Sequence, residues 1–293
     1  MIPKGKLLII GGAEDKGLDQ TPDMVEHNKE ANRFEILKTL LPDNKRDKKI
    51  EVVTSASAVP EEVQKTYSKA LKKIGYTHVR YMHIENKEQA REKKYTDRFE
   101  EANTILFSGG DQFHITSIIG GTPLETIMCQ RYAEDKDFII AGTSAGAMAM
   151  SDTMIREGGT EEALIDTDLK TTSGFCILKG CIIDTHFIKR GRFGRLSHAV
   201  MINPGQLGIG LGEDTALLIK NGDEATCFGS GMVVIIDGKD IIQTNIAVAE
   251  TGCPVYVENL KVHLLVKGCR FSLKKRKLLQ PAMAKSKSSM HEN

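Results

Sequence analysis

The sequence predicts an α/β fold: a mainly parallel sheet sandwiched by helices, followed by a β-rich C-terminal part. Three observations carry this. In the first half of the 293 residues, short apolar runs alternate five times with helix-like stretches. Several of those runs end in glycine or small-residue turns, as strands of an open sheet do at their carboxyl ends, where ligands bind. In the second half, short apolar runs are separated by turn signals such as Asn221-Gly222 and Asp237-Gly238.

Residues 6–10 are an apolar strand that stops at Gly11-Gly12, and residues 13–28 are polar and irregular. A helix is expected over residues 29–41, with Phe34, Leu37, Leu40 and Leu41 on one face. Pro42 ends it, and a charged loop follows over 45–49. Residues 50–54 form the second strand. Pro60-Glu61-Glu62 then opens a helix, because proline costs no hydrogen bond in the first turn and the acids meet the positive end of the dipole. Gly75 stops it near residue 74. Residues 78–83 and 104–107 read as strands and 86–102 as a charged helix. The second of these strands runs into Ser108-Gly109-Gly110-Asp111-Gln112. A short helix, a Gly120-Gly121 break and a helix over 123–133 lead to the strand Phe138-Ile139-Ile140.

Beyond residue 150 the reading changes. Residues 158–172 are a polar loop, 181–187 a strand, 192–201 a helix ended by Asn203-Pro204-Gly205, and 207–211 a short strand ending at Gly212-Glu213-Asp214. Strands follow over 216–220, 225–228, 232–236, 241–248 and 255–266. A single domain is expected over residues 1–273, with 274–293 a basic, disordered tail.

Composition narrows the function. Forty Lys+Arg face 39 Asp+Glu, so no global field favours nucleic acid or a membrane surface. The six cysteines show neither C-x-x-C nor metal-ligand spacing, so neither metal nor cofactor is expected, and a reducing compartment is. The apolar run at residues 7–10 is too short for a signal peptide or a membrane span. The expectation is a soluble cytoplasmic protein.

Gly142-Thr143-Ser144-Ala145-Gly146 fits G-x-S-x-G between a strand and a small-residue helix over 145–150. In that context the serine stands on a sharp turn near a helix N-terminus, where backbone N–H groups favour a developing anion. His186, at the end of an apolar strand, is the best candidate base. A carboxylate should orient it, and Glu213, Glu162 and Asp184 compete, with Glu213 favoured by its fixed surroundings and Glu162 the second choice. Arg190, Arg192 and Arg195 beside His186 suggest a pocket for substrate carboxylates, which guanidinium binds bidentately. The oxyanion would meet the N–H of Ala145 and that of Gly110 or Asp111, with Gln112 at the substrate.

Taken together, Gly11-Gly12-Ala13-Glu14, Gly109-Gly110-Asp111-Gln112, the Ser144 elbow, Asp184-Thr185-His186-Phe187 with its arginines, and Glu213-Asp214-Thr215-Ala216 resemble the cyanophycinase family of serine peptidases, which also holds aspartyl dipeptidase. The resemblance spans residues 11–216 in family order. It implies a fold like that of the class I glutamine amidotransferases and a Ser144–His186–Glu213 triad. It also implies an exopeptidase releasing β-Asp-Arg dipeptides from cyanophycin through an acyl-enzyme, and a homodimer. Asp184 and Thr185 fall at substrate-binding positions, Asp184 as an acid for a substrate guanidinium; Thr185 stands where the family usually carries Gln. The alternatives are a dipeptidase for small aspartyl or β-aspartyl peptides, and a non-catalytic ligand-binding relative. An α/β-hydrolase esterase is disfavoured, because those enzymes place the acid before the histidine and here His186 precedes Glu213.

Overall fold

A computed structural model describes residues 2–17, 33–40, 48–158, 164–165 and 169–281. The first half alternates as the pattern demands: β1 (Lys6–Ile10), α1 (Glu35–Lys38), β2 (Ile50–Val53), α2 (Pro60–Lys73), β3 (Val79–Met82), α3 (Lys93–Glu101), β4 (Thr104–Phe107), α4 (Gln112–Ile119), α5 (Pro123–Glu134), β5 (Ile139–Thr143) and α6 (Ala145–Met148). Proline opens both α2 and α5, with acids in each first turn. Of the helix expected over 29–41, only α1 falls among the described residues.

The second half supplies β6 (Thr153–Glu157), β7 (Lys170–Ser173), β8 (Cys181–Asp184), α7 (Phe193–Ile202), β9 (Leu207–Leu211), β10 (Thr215–Lys220), β11 (Glu224–Gly229), β12 (Val233–Asp237), β13 (Gln243–Thr244), β14 (Val257–Glu258), β15 (Lys261–Leu265), β16 (Arg270–Ser272) and β17 (Lys277–Gln280).

Among the described residues, two large sheets hold thirteen of these strands, and β6-β7 and β13-β14 form two-stranded sheets. The larger has nine, in the order β17-β16-β11-β10-β1-β5-β4-β2-β3. From β1 to β3 every pair is parallel, and from β1 to β17 every pair is antiparallel, so hairpins of the C-terminal part extend the parallel half into one mixed sheet. The smaller sheet, β15-β12-β9-β8, joins parallel β8 and β9 to antiparallel β12 and β15.

β1 shows why the large sheet is covered on both faces. Leu7 and Ile9 belong to a core shared with α4, α5 and the smaller sheet, while Leu8 and Ile10 belong to another under α1 and α2. All four are completely buried. Each contributes roughly 1.5–3 kcal/mol on removal from water, which fixes the strand at the centre of the sheet.

Three local expectations are corrected. The strand expected over 241–248 is only the two-residue β13, paired with β14. Residues 170–172, read as the end of a loop, belong to β7, which pairs antiparallel with β6, its register set by Thr153 opposite Ser173. Residues 277–280, assigned to a disordered tail, form β17 on the edge of the large sheet. Two contacts hold them there: Arg276 pairs with the buried carboxylate of Asp237, and Asp223 accepts the Lys274 N–H at 2.8 Å. Residues 282–293 lie outside the described part.

Candidate active site

The nucleophile candidate stands where β5 turns into α6. Ser144 has φ 53° and ψ −116°, a conformation costing a non-glycine residue about 1–3 kcal/mol. The turn is tight because strand and helix nearly touch: a Cβ on Gly142 would lie 2.3 Å from the Gly146 carbonyl oxygen, and one on Gly146 2.3 Å from that of Phe107.

His186 follows β8, also at positive φ (49°), and its N–H donates to the Gly11 carbonyl at 2.9 Å. Its ring lies over Gly12, where a Cβ would come within 2.4 Å of Nε2. Glu213 follows β9. The parallel pairing of β8 with β9 places His186 and Glu213 at the same end of the smaller sheet.

These three side chains meet. Ser144 Oγ is 3.0 Å from His186 Nε2, and His186 Nδ1 is 2.7 Å from Glu213 Oε1. Burial pushes the Glu213 carboxyl up, but hydrogen bonds from His186 and Lys189 and the Lys189 charge outweigh it and hold it below the ordinary carboxylate value. An ionised carboxylate only accepts, so the proton between them belongs to Nδ1 and leaves Nε2 to accept from the serine hydroxyl. Lys189, 3.0 Å from Glu213 Oε2, was not picked out from the sequence, where nothing distinguishes it from other surface lysines.

Of the expected oxyanion donors, Ala145 N–H opens α6. Asp111 N–H is occupied by the Ala56 carbonyl at 3.0 Å, which leaves Gly110 of the two alternatives. The Asp111 side chain instead caps α4, accepting from the N–H groups of Phe113 and His114. Gln112 is turned to β6, donating through Nε2 to the Ile155 carbonyl at 2.9 Å and that of Arg156 at 3.3 Å. Neighbouring Gly109 lies against Ser144, with a Cβ there 3.3 Å from that of the serine.

The Asp184–Arg195 cluster is arranged differently from the expectation. Asp184 has no exposed surface. Its Oδ1 accepts from Thr185 N (2.8 Å), Arg192 Nη1 (3.1 Å) and Arg195 Nη2 (2.5 Å), and its Oδ2 from Arg195 Nε (2.9 Å). It is a buried counter-ion, closed to a substrate guanidinium. Arg192 and Arg195, with side chains 12% and 8% exposed, spend their charge on it. Burial draws the Arg192 guanidinium down from its ordinary value, with Asp184 opposing. Thr185 is also buried, whereas Arg190 is exposed. Glu162 lies outside the described residues.

One residue quoted in a motif but given no role proves central. Glu14, 3% exposed, accepts from Tyr67 Oη and from Thr143 Oγ1 (2.8 Å) and pairs with Lys16 at 3.0 Å. Among the described residues no group of His, Cys, Asp and Glu is placed to hold a metal ion, and no helix is long and apolar enough to cross a membrane.

Residues 24–227 match the family model described as Peptidase family S51. The chain is 32% identical over 277 residues to a cyanophycinase of Trichormus variabilis, covering 94% of this chain and 88% of that protein. It is 30% identical over 272 residues to cyanophycinases of Synechococcus elongatus and Geminocystis herdmanii, covering 92% of this chain and 80% and 94% of theirs. Its fold resembles the crystal structure of a peptidase from an acI-B1 Actinobacterium, with TM-score 0.62, 21% identity, and coverage of 93% of this chain and 97% of that one.

Proposed function

This chain belongs to peptidase family S51, a family of serine-type peptidases, and from that premise we propose that it is an exopeptidase that hydrolyses cyanophycin to β-Asp-Arg dipeptides through Ser144, His186 and Glu213. The observation that carries the reading is the unbroken chain from Ser144 Oγ through both ring nitrogens of His186 to Glu213. The named relatives supply the substrate: they are cyanophycinases similar to this chain over more than nine-tenths of its length.

The reaction is acyl transfer. His186 Nε2 takes the serine proton as Oγ attacks the aspartyl backbone carbonyl, and Glu213 stabilises the imidazolium that forms. The N–H groups of Ala145 and Gly110 receive the oxyanion in a site that is already organised. The imidazolium then gives its proton to the departing amine, leaving an ester on Ser144. Water, deprotonated by the same imidazole, attacks that ester and restores the serine. Arg190, the exposed member of the arginine cluster, is the cation proposed to meet a substrate carboxylate.

Incubation with cyanophycin, and separately with β-aspartyl dipeptides, followed by mass analysis, tests the assignment. Asp-Arg dipeptides released from the polymer support it. Cleavage of dipeptides alone moves the function to a small-peptide dipeptidase. Ser144→Ala should slow turnover by a factor on the order of 10³ or more while leaving binding intact. Hydrolysis at the wild-type rate by that variant would remove Ser144 from the chemistry.

A further inference from the structure

The end of β1 and the turn after it touch every segment that carries a proposed catalytic residue. The Ile10 carbonyl accepts the N–H of Ser144 at 2.9 Å, the Gly11 carbonyl that of His186 at 2.9 Å, and the Gly12 carbonyl that of Asp214, next to Glu213, at 2.9 Å. Asp15 N–H donates to Asp214 Oδ1 at 3.1 Å. Three consecutive carbonyls thus fix three turns whose own conformations are unfavourable, since Ser144, His186 and Asp214 all have positive φ.

Glu14 closes this arrangement with a side chain. A carboxylate so deeply buried costs several kcal/mol unless its lone pairs are filled, and here they are filled by Tyr67, Lys16 and Thr143. Thr143 is the last residue of β5 and the one before Ser144, so this hydrogen bond joins the β1 turn to the nucleophile elbow beside the strained peptide. An aliphatic side chain would fill the space without that tether.

Resting on the assignment of Ser144 as nucleophile, we propose that Glu14 is a positioning residue for the peptidase reaction: through Thr143 it sets Ser144 Oγ against His186 Nε2. It does not touch substrate. A misplacement of about 1 Å at such a centre can cost ~10²-fold in rate, so the tether is felt in kcat rather than KM.

The test needs no knowledge of the substrate. An alkyl fluorophosphonate phosphonylates the active serine: the Oγ–P bond forms, P–F breaks, fluoride leaves and His186 takes the proton. Its second-order rate with Ser144 therefore reads the serine–histidine geometry directly. Glu14→Leu and Thr143→Val should each slow labelling about 10- to 100-fold, and the double variant should be no slower than the slower single, because both cut one connection. Thr143→Ser keeps the hydroxyl and should recover most of the rate. With the natural substrate the loss should fall on kcat, with KM within about twofold. Folding is checked by circular dichroism; should Glu14→Leu not fold, the Thr143→Val and Thr143→Ser pair decides alone. Labelling of Thr143→Val at the wild-type rate, or independent multiplying effects in the double variant, overturns the positioning role. Wild-type protein that takes no label removes Ser144 as nucleophile and the positioning role with it. A labelled wild type with unaffected variants overturns the positioning role only.

Discussion

Asp184 is two residues from His186 in sequence, yet the two side chains have different fates. In a regular strand that spacing puts both on one face. The positive φ of His186 breaks the alternation, so the histidine reaches the open end of the sheet while Asp184 stays beneath two guanidinium groups. No residue type in the sequence announces that φ, and for that reason Asp184 reads as a substrate group. That Ser144, His186 and Glu213 meet was legible because each follows an apolar strand ending in a turn. Glu14 was not, because its partners Tyr67 and Thr143 are 53 and 129 residues away. Asp184→Ala would strand Arg192 and Arg195 without a counter-ion, and the unfolding free energy should fall by about 3–5 kcal/mol, read from the denaturant midpoint. A subsite for substrate would instead raise KM at unchanged stability. Glu14 also predicts a pH dependence. Burial pushes its carboxyl up, but the Lys16 charge and the Tyr67 and Thr143 hydroxyls hold it below the ordinary 4.5. A depressed folded value means the stabilisation is fully present above pH ~4.5 and is lost as pH falls through that lower value. The melting-temperature gap between wild type and Glu14→Gln should therefore narrow between neutral pH and pH ~3.

At the scale of elements, the strands that bury no position, β7 and β17, were not readable. β17 carries Lys277, Leu278, Leu279 and Gln280, all exposed, so no alternation marks it as a strand. It exists because β16 offers an unpaired edge and because Arg276 anchors the connecting turn to Asp237. The β6–β7 hairpin was missed for the same reason, since β7 is Lys-Thr-Thr-Ser with no buried position. A chain ended at residue 273 loses β17 and leaves Asp237, 3% exposed, without its arginine. It should be less stable by about 3 kcal/mol or more, whereas one ended at residue 281 retains those contacts and should regain the difference in a thermal melt.

For the molecule as a whole, the parallel half was visible in the strand–helix alternation, but the division of the later strands between two sheets was not. Partner choice there depends on pairings such as Ile10 with Ala216, some two hundred residues apart, which no local pattern encodes. The division matters because the proposed catalytic centre straddles it. Ser144 hangs from β5 of the large sheet, and His186 and Glu213 from β8 and β9 of the small one. Neither sheet holds the constellation alone. Loss of fluorophosphonate labelling and loss of far-UV ellipticity should therefore follow one denaturant transition. A species that keeps its secondary structure but takes no label would show the sheets separating first.

The place of β1 bears on how such an enzyme is made in a living cell. It is made before the other described strands, yet it lies between β5 and β10, and the carbonyls of Ile10, Gly11 and Gly12 wait for Ser144, His186 and Asp214. A nascent chain that has not yet delivered residues 214–220 has an open flank beside β1 and no partner for the last of these hydrogen bonds. The proposed centre therefore has no complete frame until the residues after Glu213 have emerged.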